Sequence, residues 1–344
     1  MTAKDWTGGL RPEQDLMFPS RPDDPEMRES ASIWLFAEDG SFGFPRIGIE
    51  AEASNWVQRR FQANFAFPDG RVLNAADIGA APSAIGPDGQ PSILGAGPLV
   101  FRCIEPFRRW SVGFDGVAVD SDVAAQIGQA VDPSRRSPIR FEAELSMAAP
   151  AWVQDNAPER VAKMSAEAAI EAANMGVGYR IEQMFRAKGW LEIDGQTRDF
   201  RAVGSRIHRQ SIRPLAGFRG HCWQSALFPD GRAFGYIAYP PREDGSDGYN
   251  EGYVYQDGRM YPARAVRSPW LTRAIGQGDD ASLELETELG IARIEGATAL
   301  STFRIGNPDM GGFNLQQTGA RYRWDGQSAY GMLERSTPEA IAIG

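Results

Sequence analysis

Only two cysteines occur in the 344 residues, Cys103 and Cys222, each in an apolar, strand-like context (VFRCIEPF and GHCWQSALF). That scarcity excludes a disulfide framework and reads as two buried thiols. Histidine is as rare, with His208 and His221 alone. The two lack a third ligand and the close spacing of a helical pair, so no metal site is expected. No stretch approaches the roughly 18 apolar residues of a membrane helix, and residues 1–28 are polar, proline-rich and charged rather than a leader. A chain without a transmembrane segment in a cytoplasmic compartment is the expectation. Positive charge is not concentrated anywhere, and the net charge is −9, which argues against nucleic acid as a partner. Missing too are a glycine-rich phosphate loop (GAGPL at 95–99 is a lone glycine pair) and a Gly-x-Ser-x-Gly elbow. Nucleotide and other cofactors therefore have no support, nor does serine-hydrolase chemistry.

What the chain does have is turns. Its 38 glycines and 23 prolines are punctuated by Asp-Gly pairs, among them Asp39-Gly40, Asp69-Gly70, Asp88-Gly89, Asp115-Gly116, Asp194-Gly195, Asp230-Gly231, Asp257-Gly258 and Asp325-Gly326. Asp-Gly supplies the positive φ angles of tight hairpins. Between the turns lie period-two segments. In 139–147, Ile139, Phe141, Ala143, Leu145 and Met147 alternate with Arg140, Glu142, Glu144 and Ser146; in 283–289, Leu283, Leu285 and Leu289 oppose Glu284, Glu286 and Glu288. Such alternation marks a sheet with one face in water. Further strands are predicted at 31–38, 45–51, 56–66, 99–104, 108–114, 179–193, 198–208, 222–228, 232–239 and 252–256. One Ala/Glu-rich stretch, 157–174, has helical character.

This length suits two domains. The expected organisation is an extended N-terminal arm (1–28), a first β domain (29–155), a helical connector (156–178) and a second β domain (179–344). FQANFAFPDGRVLNA (61–75) is echoed by CWQSALFPDGRAFGY (222–236), which suggests duplicated halves. A good hairpin turn that arose twice is the simpler alternative.

Several blocks taken in order resemble the carotenoid 1,2-hydratase (hydroxyneurosporene synthase)-like proteins. These are ESASIWLFAEDGSFGFPRIGIE (29–50), FAFPDGRVL (65–73), PLVFRCIEPFRRWSVGFDGVA (98–118) and YRIEQMFRAKGWLEIDGQTRDFRAVGSRIHRQSIRP (179–214). The last carries the family's Glu-Gln pair (Glu182, Gln183) and one residue of its Asp-His-Ser-Trp-like signature, His208. Ile207 stands where relatives have Asp, and Arg209-Gln210 where they have Ser-Trp. The resemblance implies an all-β fold of two tandem lipocalin-like antiparallel barrels or sandwiches. It also implies a ligand cavity where they meet and cofactor-independent protonation of a carbon–carbon double bond followed by addition of water.

The candidate catalytic residues are His208, Tyr236 and Glu182. Histidine suits proton transfer near neutral pH. Glu182 acts as acid or base if it faces a cavity, and is an ordinary solvated charge if it faces out. Tyr236, after the second FPDGR turn, is either a proton donor or barrel filling. Arg206 and Arg213, beside His208, suit a carboxylate or phenolate on the substrate. His221, Trp223, Tyr239, Trp190 and Trp324 complete the substrate-binding candidates, the tryptophans through their π faces. Both histidines fall in the second half, which places the chemistry at the mouth of the second barrel. The leading reading is a lyase (hydratase, dehydratase, decarboxylase or carbon–carbon lyase) acting on a hydrophobic isoprenoid or phenolic small molecule. A lipocalin-like carrier or sensor is the alternative, an assembly protein with filled cores a third, and a homodimer is compatible with either.

Overall fold

Turn chemistry and alternation together produce an antiparallel β protein, seen in a computed structural model that describes residues 5–156, 158–214, 218–308 and 311–343. The first sheet contains β1 (Met27–Ala37), β2 (Gly43–Glu52), β3 (Gln58–Ala66), β4 (Arg71–Ala80), β5 (Ile93–Ala96), β6 (Leu99–Glu105), β7 (Arg109–Asp122), β8 (Arg136–Met147), β9 (Trp152–Asn156), β10 (Val177–Ile193) and β11 (Gln196–Ile212). Eight of these run in the order β4-β3-β2-β1-β11-β10-β8-β7, and pairing of β4 with β7 closes the ring. The second barrel closes through β12 (His221–Leu227), β13 (Ala233–Ala238), β14 (Asn250–Gln256), β15 (Arg259–Arg267), β17 (Leu283–Thr287), β18 (Gly290–Asn307), β19 (Phe313–Trp324) and β20 (Gln327–Thr337). β16 (Arg273–Ala274) and β21 (Ala342–Ile343) form a small parallel pair beside it.

β8 follows its sequence pattern, with Ile139, Phe141, Ala143, Leu145 and Met147 buried. They join Phe44, Phe65, Phe114 and Phe200 inside the first barrel. β17 follows it only in part. Leu283 and Leu285 enter the second core, but the strand ends at Thr287 and Leu289 is exposed in the turn. A third apolar cluster, including Trp34, Phe36, Met184, Val203, Ile207 and Trp223, lies where the barrels meet.

Three Asp-Gly pairs make two-residue turns with positive φ at both positions: Asp194-Gly195, Asp257-Gly258 and Asp325-Gly326. Asp115-Gly116 is no turn, because β7 runs straight through it. The two FPDGR segments share one geometry. Phe67 N–H bonds to Arg71 O and Phe228 N–H to Arg232 O, with Gly70 and Gly231 at φ 88° and 91°. One joins the third and fourth strands of its barrel, the other the first and second of the next. Turn chemistry accounts for the repeat without requiring equivalent positions.

The expected domain boundary is corrected by strand pairing. β10 and β11 are hydrogen-bonded to β8 and β1, so residues 177–212 complete the first barrel instead of opening the second. His208 consequently belongs to the first barrel. The predicted helix breaks into α2 (Pro158–Val161) and α3 (Ala166–Met175), the latter capped by the Ser165 hydroxyl accepting from Ala168 N–H; α1 (Val123–Ile127) lies earlier. Residues 1–4, 157 and 215–217, which fall within the expected arm, helix and mouth loop, lie outside the described residues. The rest of the arm is docked, not free, and its 3₁₀ turn Pro12–Asp15 buries Asp15. Among the described residues no helix is long and apolar enough to cross a membrane.

Candidate active site

The long β10–β11 hairpin has two buried faces. In register, Gln183 pairs with Arg206 and Ile181 with His208, while Glu182 pairs with Ile207 and Arg180 with Arg209. Period two sends the first set into the first barrel and the second toward the other barrel. The expected catalytic group is thereby divided: His208 and Glu182 lie on opposite faces of one hairpin.

His208 sits under the N-terminal arm. Its Nε2 lies 3.3 Å from Glu29 Oε1 and its Nδ1 3.8 Å from Asp15 Oδ1. Burial disfavours the imidazolium, but Asp15 and Glu29 outweigh it and raise the pKa above its ordinary value. Arg206 donates to both Asp15 oxygens at 2.8 and 3.0 Å and to Gln183 Oε1 at 2.7 Å. Asp15 also accepts from Phe107 N–H and the Trp110 indole. Burial opposes its ionisation, but Arg206 and His208 hold its pKa down. This is a charge-balanced plug that fastens the arm to the barrel, with Arg206 spent on Asp15.

Toward the other barrel the hydrogen bonding is incomplete. Glu182 is fully buried, and its Oε2 accepts from Trp223 Nε1 at 2.9 Å and stands 3.6 Å from Arg180 Nη2. Its Oε1 makes no hydrogen bond, and the Ser225 hydroxyl near the carboxyl is itself unpartnered. Burial pushes the carboxyl pKa up to about 6, against the pull of Arg180, Trp223 and Ser225. Arg180 lies 4.7 Å over the Trp223 ring, and Trp34 meets that ring edge-on at 4.7 Å. A Cβ at Gly235 would stand 2.9 Å from Glu182 Oε1 and 2.7 Å from the Tyr253 ring, so only glycine leaves room there.

Other buried polar atoms without partners gather on this same face: Trp34 Nε1, Arg180 Nε, Ser205 Oγ, Arg209 Nε, Ser211 Oγ and the Tyr239 hydroxyl. Each such atom costs about 1–3 kcal/mol unless something satisfies it. They are concentrated between the barrels. Tyr239, packed on Phe218, has its pKa raised by burial to about 12, with Arg213 and Arg209 opposing. Arg213 donates to Asn174 O at 2.7 Å.

His221 also faces the interface. Its Nδ1 is 2.8 Å from Ser336 Oγ and its Nε2 3.1 Å from Glu334 Oε1. Burial opposes ionisation of Glu334, but His221, Arg46 and Gln317 outweigh it and hold the pKa down at about 2.

The remaining candidates lie elsewhere. Tyr236 is inside the second barrel, donating to Gln224 Oε1 at 2.6 Å and 3.3 Å from Cys222 Sγ. An even position on β13 points into that core, so Tyr236 is barrel filling, the second of the two readings, and not a helper of His208. Trp324 packs against Phe228 at the foot of the same core, covered by Arg232. Trp190 faces an open hollow of about 710 Å³ on the wall of the first barrel, with Glu142, Lys188 and Arg201 around it. That hollow is shallow, and none of the unpartnered buried atoms lines it. A second hollow, about 440 Å³, includes Val203 and Leu227 of the interbarrel cluster and opens onto the seam. Among the described residues no cluster of His, Cys, Asp and Glu has metal-binding geometry. Sequence reading missed Arg180, Arg209, Trp34 and Asp15. Only the register of β10 against β11 shows that Arg180 and Arg209 share the buried face, and nothing local marks Asp15.

The sequence matches the family described as Domain of unknown function (DUF7064) over residues 11–339, and the chain belongs to that family. A search of curated protein sequences finds no significant match. Among solved structures, an AttH-like protein of Nitrosomonas europaea aligns at 14% identity and TM-score 0.59, covering 98% of this chain and 99% of that one. CghA aligns at 14% identity and TM-score 0.53, covering 93% and 90%, and has also been crystallised with Sch210972. Kievitone hydratase of Nectria haematococca aligns at 9% identity and TM-score 0.50, covering 97% and 95%. At these identities the likeness is one of fold.

Proposed function

We propose that this member of the family is a cofactor-independent lyase of hydratase or dehydratase type, with Glu182 as its general acid and the interbarrel space as its substrate site. The observation that carries the reading is the Glu182 carboxyl. It is fully buried, held through Oε2 by the Trp223 indole, bare at Oε1, and raised to a pKa of about 6. A carboxyl in that range holds a proton near neutrality and gives it up readily. The proton on Oε1 passes to an alkene carbon of the substrate. The carbocation so formed lies beside the Glu182 carboxylate left by the transfer, whose negative charge stabilises it. Water then adds to the cation and returns a proton to the Glu182 carboxylate. The reverse sequence is dehydration. The apolar interbarrel wall suits an isoprenoid or phenolic substrate. A hydratase among proteins of the same fold supports the reaction class.

His208 is outside this scheme. Its partners Asp15 and Glu29 belong to the plug under the arm.

The test is turnover of a panel of terpenoid alkenes and prenylated phenols by the wild-type chain and by Glu182→Gln. Loss of a general acid lowers kcat by about 10²–10⁴-fold. The wild-type rate should be high below pH 6 and fall as Glu182 ionises above it. Binding without turnover anywhere in the panel would favour a ligand carrier, and full activity of Glu182→Gln would remove Glu182 from the mechanism.

A further inference from the structure

Arg180 and Arg209 are directly opposite each other on neighbouring strands, on the same buried face. Like charges in a cross-strand pair repel, and burial makes the arrangement costlier still. Arg180 has Gln154 and Glu182 beside it. Arg209 is drawn toward Glu50 but makes no hydrogen bond or close ion pair with any described residue, and its Nε is buried and unpartnered. Around the pair stand the unpartnered Ser211 and Tyr239 hydroxyls, with Arg213 close enough to oppose the upward push of burial on the Tyr239 pKa. Ser211 is held close to the chain by two glycines: a Cβ at Gly176 would lie 2.4 Å from its Oγ, and one at Gly178 3.0 Å from its Cβ.

We propose that Arg180, Arg209 and the Tyr239 hydroxyl form an anion subsite that binds an organic acid group (carboxylate, enolate or phenolate) on a hydrophobic ligand. All these groups can donate a hydrogen bond, and a guanidinium fork matches an oxyanion in shape and charge. The anion would add counter-charge to the two arginines beyond that of Glu182 and Glu50. Arg180 also lies over Trp223 and beside Glu182. The subsite therefore places the acid group next to the proton donor, with the apolar body against Trp34 and Trp223. This inference rests on the interbarrel site proposed above and adds the charge class of its occupant.

Isothermal titration of the full chain with 2-naphthoate and with its neutral isostere 2-naphthamide tests it, each at fixed ionic strength. Naphthoate should bind about tenfold more tightly or better, the range expected for a charge-assisted hydrogen bond. Arg209→Met should lower naphthoate affinity about tenfold while leaving naphthamide within about twofold. Should Arg209→Met fail to fold, as judged by its melting curve, Tyr239→Phe provides the second reading. It should weaken naphthoate several-fold and leave naphthamide unchanged. Equal binding of the two ligands by the wild-type chain, or naphthoate binding unaffected by the folded variants, would overturn the anion subsite while leaving the interbarrel site intact. Binding of neither ligand would overturn both.

Discussion

Glu182 links the proposed chemistry to stability at the scale of one residue. Its pKa is about 6 in the folded chain against 4.5 for a free glutamate, so folding favours the protonated carboxyl. A raised carboxyl pKa contributes stability fully below about pH 4.5, and that contribution is lost as pH rises through 6. The difference amounts to on the order of 2 kcal/mol. Glu182→Gln keeps an oxygen to accept from the Trp223 indole and cannot ionise. It should therefore match the wild-type chain near pH 4.5 and be more stable by on the order of 2 kcal/mol at pH 8. Urea denaturation at both pH values reads this directly; a variant equally or less stable at pH 8 would show that Glu182 is comfortable as an anion. The sequence alone named Glu182 and left its direction open, because alternation gives two faces but not which is buried. His208 drew attention because histidine is scarce and matches a family signature. Its carboxylate partners lie 193 and 179 residues away (208 − 15 and 208 − 29), beyond the reach of any local pattern.

At the scale of the element, the N-terminal arm is the segment whose character the sequence concealed. It has no periodicity, since a 3₁₀ turn and an extended run bury isolated side chains rather than a stripe. Yet Asp15 and Arg206 are both essentially inaccessible and form a bidentate pair. Removing one partner of such a pair leaves the other charge buried without compensation, at a cost of about 3–5 kcal/mol. Asp15→Ala should lose stability in that range, and it should also loosen the arm, so that thermolysin cuts before Met17 faster than in the wild-type chain. A loss below about 1 kcal/mol, with unchanged cleavage, would mean that the arm is held by its apolar contacts, such as Met17, instead. Hairpins were far more legible than the arm, because Asp194-Gly195, Asp257-Gly258 and Asp325-Gly326 carry their turn type in two residues. Asp115-Gly116 shows the limit of that signal. A continuous ladder with β8 from Arg109 to Val119 overrides the local turn preference.

At the scale of the whole molecule, two β domains could be read from length, turns and alternation, and barrels from the family resemblance, but not the assignment of strands to barrels. The Ala-rich stretch before β10 resembles a linker in composition, and strand partners are set by pairing rather than by local sequence. β10 and β11 fill the gap between β8 and β1 and also carry the interbarrel face, so one hairpin closes the first barrel and presents Glu182, Arg180 and Arg209 to the second. A chain ending at residue 176 should therefore leave β1 and β8 with open edges, which are prone to pair with other chains. A chain ending at residue 214 retains the closed ring but uncovers Trp34, Phe36, Met184, Val203 and Ile207 to solvent. The longer fragment should unfold in a cooperative urea transition, with a tendency to self-associate through that apolar face, and the shorter one should show no cooperative transition. Far-UV circular dichroism across a urea series separates them. A cooperative transition from the 1–176 fragment would mean that the first barrel closes without the hairpin, and the proposed catalytic face would then belong to a separable element.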